Sequence, residues 1–443
     1  MRLLSRSDIR PAFDKLLAKA RQKNSIYLAL SLVARVLNAV GMFIAIQRFA
    51  PSTFGEMSYL QATAVSTVAF CSFGIELSVN ARLSRQIHES APLTPTILAA
   101  CGLALAGMLC ACVVVATLFG PQLAVAGPVG TAIRAVSLYS SFMILTQLLT
   151  AMSFAQAASI NVGVSYLLTS LIFALFAIFA DSRTTGIRLM LLANVAQIVA
   201  TSFMALALAR KALRQSFALT GRNFRQAIGV SRTEAKTLFV YGVKQILVVS
   251  IVNFAQWFIQ RKIIYGTGGT SDNAIYSVGN QIFNITTFIP SILTPILVTR
   301  LASAGTDLAL RRRICLSSLR LFSAIAVCVC IAVFVGLKFG VPYLPPRYAA
   351  ATVTGTIASI AASFVILKLP FSLYFLSELK ASREIISGAA GALVMIVATA
   401  VAIHLTPNEG TVIRLSGVAV QGVLLAGMFL VETRRIAAAA IRT

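Results

Sequence analysis

Acidic residues are scarce in this chain: its 443 residues carry 13 Asp+Glu against 38 Lys+Arg, with 2 histidines and 1 tryptophan. So few carboxylates and imidazoles leave no metal-ligand cluster, and His88 and His404 are too scattered to form one. No paired nucleophile and base stands out either, so the sequence offers no enzyme signature and no cofactor-binding pattern. Charge of either sign is thin, at 12% of residues, about half of the roughly 25% typical of soluble domains. A water-soluble surface cannot be assembled from so little charge. Long hydrophilic segments are also missing, the longest being 210–236, so no soluble catalytic domain is housed in a loop.

What the chain has instead is apolar residues, 58% of the total, with a mean hydropathy of +0.86. They fall in runs of about 20, the length that crosses roughly 30 Å of hydrocarbon at about 1.5 Å per residue. An unpaired backbone amide in lipid costs several kcal/mol, so these runs are expected as helices. The short alternating segments of a membrane barrel are absent. Spans are expected near 25–46, 58–80, 96–119, 132–156, 160–180 and 188–209, then 237–259, 274–299, 315–338, 353–376, 385–405 and 412–431. The expected fold class is an all-α integral membrane protein of about twelve transmembrane helices in two six-helix lobes around a central cavity.

The net charge of +25 raises nucleic acid as a partner in a soluble protein, but no aromatic-plus-basic motif accompanies it here. Alternating the spans from a cytoplasmic N-terminus places most of the basic residues on one side, as the positive-inside rule requires. That side holds Arg82, Arg85, Arg311, Arg312, Arg313 and the basic 210–236 segment, so both termini are expected in the cytoplasm. Residues 1–24 interleave Arg and Lys with Leu, Ile and Phe and read as a basic amphipathic segment on the membrane surface. The resulting layout is 1–24, an N-terminal lobe 25–209, a basic linker 210–236, a C-terminal lobe 237–431 and a tail 432–443. Internal matches point to a duplication: Ile46-Gln47-Arg48 against Ile259-Gln260-Arg261, and Cys110-x-Cys112 against Cys328-x-Cys330. With six spans per half, the repeat would be parallel, as in transporters with a cavity between two lobes. The seven cysteines read as packing residues.

Charges inside spans are expensive and usually face a partner or a wet cavity. Five stand out: Arg35, Glu76, Arg134, Lys244 and Lys368. Arg35 is mid-span, with Asn38 on its face; it reads as a cavity residue or as half of a buried pair with Glu76. Lys244 and Lys368 read as substrate contacts or snorkelling groups, and Arg134 as a substrate contact or an interfacial anchor. Asn280 and Asn284 share a face of the eighth span and suit either a hydrogen-bonding wall for a sugar or interhelical contacts. The glycine-rich Gly266–Thr270 stretch lacks the Lys-Ser/Thr of a phosphate loop.

The run Ser31–Leu37, the stretch Ala45–Gly55 and the second span ending Gly74-Ile75-Glu76 resemble the polysaccharide-export flippases of the multidrug/oligosaccharidyl-lipid/polysaccharide superfamily. The stretch from Ala274 to Pro290 resembles the same element in that family's second lobe, although Phe49 and Ala50 depart from the family's usual small residue and glycine. The resemblance implies translocation of an undecaprenyl-diphosphate-linked oligosaccharide, such as an O-antigen repeat unit, across a bacterial inner membrane. It implies membrane lipids and the polysaccharide polymerase machinery as further partners, and no nucleic acid. Arg35, Lys244, Arg134 and Lys368 would contact the diphosphate, in a cavity of basic excess, and Asn38, Asn280 and Asn284 the sugars. A drug-exporting relative is the alternative, with Glu76 as its ionisable coupling group.

Overall fold

The computed structural model describes residues 6–88, 93–126, 129–155, 159–179, 199, 221–303, 308–340, 345–377 and 381–442. These residues are helical with short turns, and no strand occurs among them. In the first half the helices are α1 (Arg6–Arg48), α2 (Pro51–Cys71), α3 (Ile75–His88), α4 (Thr94–Val114), α5 (Val129–Ala155) and α6 (Ser159–Phe179). The second half has α7 (Gly221–Ile264), α8 (Gly269–Ser303), α9 (Leu308–Gly340), α10 (Ala351–Ser377), α11 (Ala381–Val401) and α12 (Pro407–Arg442).

Three boundaries differ from the sequence expectation. The basic N-terminal segment and the first span are one helix, Arg6–Arg48, without a break near residue 24. α7 likewise begins at Gly221, so half of the expected linker is helix; once a span nucleates, adding residues at its end costs little. The second span is instead two helices, because Phe73 at φ 50° and Gly74 at φ 65° turn the chain between α2 and α3. The expected sixth span, 188–209, lies outside the described residues.

Eight helices are long and apolar enough to cross a membrane among the described residues, namely α1, α4, α5, α6, α9, α10, α11 and α12. Their outer faces carry bare leucine, valine, isoleucine and phenylalanine, such as Leu105, Leu109, Phe334 and Val397, the faces a bilayer solvates. α2, α7 and α8 fall outside that group. Their polar residues are gathered where the two halves meet.

Several turns collect at one end of the bundle. The Arg261 guanidinium and the Tyr265 hydroxyl, beside the α7–α8 turn, donate to Gln122 at 2.7 and 3.4 Å. Phe54, after the α1–α2 turn, meets Tyr348 edge-on at 6.4 Å. Here the halves close backbone to backbone. Asn273 donates to the Gly55 carbonyl at 2.8 Å, and a Cβ on Gly55 would land inside the Thr270 carbonyl oxygen. A buried apolar cluster from both halves, including Phe49, Phe54, Met57, Ala274 and Val278, surrounds this contact. At the opposite end Arg82 of α3 clasps Glu234 of α7 through two bonds of 3.0 and 2.5 Å. Between the ends, Gly74 and Gly242 touch through their backbones, and Ser250 donates to the Ala69 carbonyl at 2.5 Å.

Glycine at 55 is therefore a steric requirement of the closed end. Gly55→Val should lower the detergent-solubilised protein's Tm by about 1–3 °C, since overpacking against backbone costs about 1–3 kcal/mol. Gly102→Val, where a Cβ meets nothing within 4 Å, should leave Tm unchanged; equal losses would refute the contact.

Candidate functional site

α2, α7 and α8 each present a polar stripe at helical spacing, and the three stripes enclose a cavity of about 190 Å³. From α2 come Ser58, Gln61 and Ser66, with Ala62 and Val65; from α7 come Asn253, Gln256, Trp257 and Gln260; from α8 come Ser277, Asn280, Gln281 and Asn284. Positions three, four and seven apart share one face of a helix, so one lining residue per turn follows directly from the sequence pattern. Measured along the helices at about 1.5 Å per residue, the lining lies roughly 6–22 Å from the turns at the closed end.

Seven of the thirteen lining side chains are carboxamides and three are serines; none is charged. The Ser58 and Ser277 hydroxyls and the Gln260 Oε1 are buried without a protein hydrogen-bond partner. Buried polar atoms are nearly always satisfied, so these sites are suited to water or to a polyhydroxylated ligand. Trp257 forms the apolar part of the wall, stacked on Tyr59 at 6.4 Å and donating through Nε1 to Thr63 Oγ1 at 3.0 Å.

The expected site residues divide by location. Asn280 and Asn284 line the cavity. Arg35, on the exposed side of α1, stands over the Phe288 ring of α8 at 5.2 Å, bridging the halves beside the cavity rather than within it. No ion pair joins it to Glu76, which lies in the first turn of α3. Asn38 is half-buried on α1, one turn from Arg35. Arg134 is exposed near the start of α5, beside Gly130. Lys368 of α10 turns into the second half, where Nζ donates to Gln421 of α12 at 2.5 Å, near the Ser372–Glu384 contact of 2.5 Å. The Lys244 side chain lies outside the described residues. The cavity lining is thus neutral where a basic excess was expected, because the described span cations Arg35, Arg134 and Lys368 point to other surfaces.

Two features were missed. The α2 wall, Ser58, Gln61 and Ser66, was legible as a polar stripe at helical spacing. Arg414 of α12 is 4% exposed, lies with its Cζ 3.6 Å from the Phe283 ring centroid and donates to Asn280 Oδ1. Its position two residues inside an expected span made it resemble an interfacial charge.

Neither protein-family models nor curated protein sequences match the chain. Solved structures do, and they establish the fold, that of MATE-family transporters of the MOP superfamily, an all-α multi-pass membrane architecture. An inward-facing multidrug-resistance MATE transporter superposes at TM-score 0.72 and 11% identity, over 94% of this chain and 98% of that one. An outward-facing conformation of such a transporter gives 0.64 and 13%, over 96% and 97%. A MOP superfamily transporter from Pyrococcus furiosus, for which reversed polarity of the binding pocket suggests a different function, gives 0.65 and 13%, over 95% and 96%.

Trp257 is the chain's one tryptophan and a built-in reporter of this cavity. Its emission should be blue-shifted and resistant to iodide, because the residue is 5% exposed. Trp257→Phe should abolish the signal and cost about 1 kcal/mol through loss of the Thr63 bond. Iodide quenching as efficient as that of free tryptophan would contradict the geometry.

Proposed function

We propose that this protein flips an undecaprenyl-diphosphate-linked oligosaccharide, an O-antigen-type repeat unit, across a bacterial inner membrane. The observation that carries the reading is the uncharged, carboxamide-rich cavity between the halves. Carboxamides and hydroxyls offer both donors and acceptors, the complement of a sugar's hydroxyls. The volume is below the roughly 300–1,000 Å³ of drug-sized pockets, so this conformation holds one small moiety and must open to admit a repeat unit.

In this reading residues 25–209 and 237–431 are the lobes that rock to alternate access, with both termini in the cytoplasm. Arg35, at the seam between α1 and α8 beside the cavity, takes the diphosphate, for which a guanidinium is geometrically suited. Asn280 and Asn284 contact the sugars, and the lipid tail stays in the bilayer. Lys244 remains a candidate second contact to the diphosphate, while Arg134 and Lys368 are set aside because their surroundings lead away from the cavity. Export of a small molecule is the second reading, supported by the multidrug transporters that share the fold.

Deleting the gene should cause lipid-linked oligosaccharide to accumulate on the cytoplasmic face, and the wild-type chain should relieve it. Arg35→Ala and Gln61→Leu should each reduce export about 10- to 100-fold at unchanged protein level, corresponding to a lost polar contact of about 1.5–3 kcal/mol. Normal surface polysaccharide in the deletion strain, with altered sensitivity to small toxic compounds, would replace this reading with the exporter.

A further inference from the structure

We infer that Arg414 sets the polarity of the cavity from behind its wall, orienting Asn280 as a hydrogen-bond donor to the ligand and excluding cationic ligands. The inference rests on the cavity being the substrate site, but not on which substrate it carries.

Arg414 is sealed between α12 and α8. Its guanidinium lies against the Phe283 ring, donates to Asn280 Oδ1 and stands beside the buried Tyr276 hydroxyl of α8. Arg414 takes no part in the Arg82–Glu234 salt bridge, which joins α3 to α7. Glu409, in the first turn of the same helix, is engaged by the Thr406 amide and hydroxyl at 2.8 and 2.9 Å. The cavity lining contributes no acid. A buried guanidinium remains protonated, so its positive charge stands one side chain from the cavity, in a medium that screens it weakly.

The contact also has a direction. A guanidinium has five donors and no acceptor, so the Asn280 carboxamide must turn its oxygen toward Arg414. Its Nδ2 amino group is then left for the cavity that Asn280 lines. The wall at this point offers a donor backed by positive charge. It favours a neutral or anionic acceptor, such as a sugar oxygen, an acetamido carbonyl or a phosphate oxygen, and disfavours an ammonium or pyridinium.

The test uses purified full-length protein and Trp257 emission, with nicotinamide as a neutral quencher and N-methylnicotinamide as its cationic counterpart. Wild-type protein should be quenched at least tenfold more efficiently by the neutral probe. Arg414→Met should raise quenching by the cation about tenfold without changing quenching by the neutral amide, and Arg414→Lys should retain the exclusion. Asn280→Asp supplies Arg414 with a carboxylate and preserves the packing, so it should admit the cation even where the Arg414→Met protein does not fold. Equal quenching of wild type by both probes, failure of the neutral probe to reach Trp257, or an unchanged ratio in the variants would overturn the inference. A protein that passes this test and still fails to relieve oligosaccharide accumulation would refute the flippase and leave the charge filter standing.

Discussion

A bilayer provides no water to a buried polar side chain, so such side chains must be satisfied by one another or by a ligand. That constraint organises the molecule. α1, α4, α5, α6, α9, α10, α11 and α12 meet the lipid with apolar faces and cross the membrane on hydropathy alone. α2, α7 and α8 carry a carboxamide or serine at nearly every turn of one face, and lipid cannot solvate those faces. Turning the three stripes toward one another buries them and creates the cavity. The site and the seam between the halves are therefore consequences of the same requirement.

Bringing the stripes together demands close backbone approach, and small residues mark where it happens. Gly55 against Thr270 closes one end, and Gly74 against Gly242 holds the middle of the seam. The left-handed turn at Phe73 and Gly74 allows α3 to leave the line of α2 and reach α7, where Arg82 and Glu234 join. On the α1 side the halves touch differently, through Arg35 and Phe288. One flank is fastened by backbone contacts and an ion pair, and the other by the Arg35–Phe288 contact together with the apolar cluster that Met42, Ala45 and Ile46 of α1 share with Ala274 and Val278 of α8.

The membrane class and most span positions were legible because hydropathy is a property of a segment in isolation. Direction was not. Asn280 and Asn284 were found because two amides at helical spacing define a face, and the same logic applied to Ser58, Gln61 and Ser66 would have found the α2 wall. Lys368 shows the limit: its depth was evident from sequence, but its bond to Gln421 depends on how α10 packs on α12. The two Cys-x-Cys pairs give the same lesson about repeats. Cys110 faces inward, 3.6 Å from Cys71, whereas Cys328 is exposed and Cys330 is the inward member beside Ser363. The matched residues do not occupy equivalent places.

The distribution of charge bears on which cargo this fold can carry. A transporter that captures a cation needs an acidic or otherwise electronegative lining, and no acid lines this cavity: Glu76 lies in the first turn of α3, and Glu384, in the first turn of α11, accepts from Ser372. The described cations nearest the cavity, Arg35 at its edge and Arg414 behind Asn280, make its surroundings positive while the lining itself stays neutral. A neutral lining has a physical advantage over a cationic one for a large sugar-bearing cargo. Hydrogen bonds to carboxamides are individually weak in net terms, about 1 kcal/mol, so many can orient a ligand without holding it too tightly for release. A direct guanidinium contact to every phosphate would favour retention. On the proposed reading, one cation at the seam and another behind the wall favour an anionic cargo, while the cavity itself stays lined with exchangeable, uncharged partners.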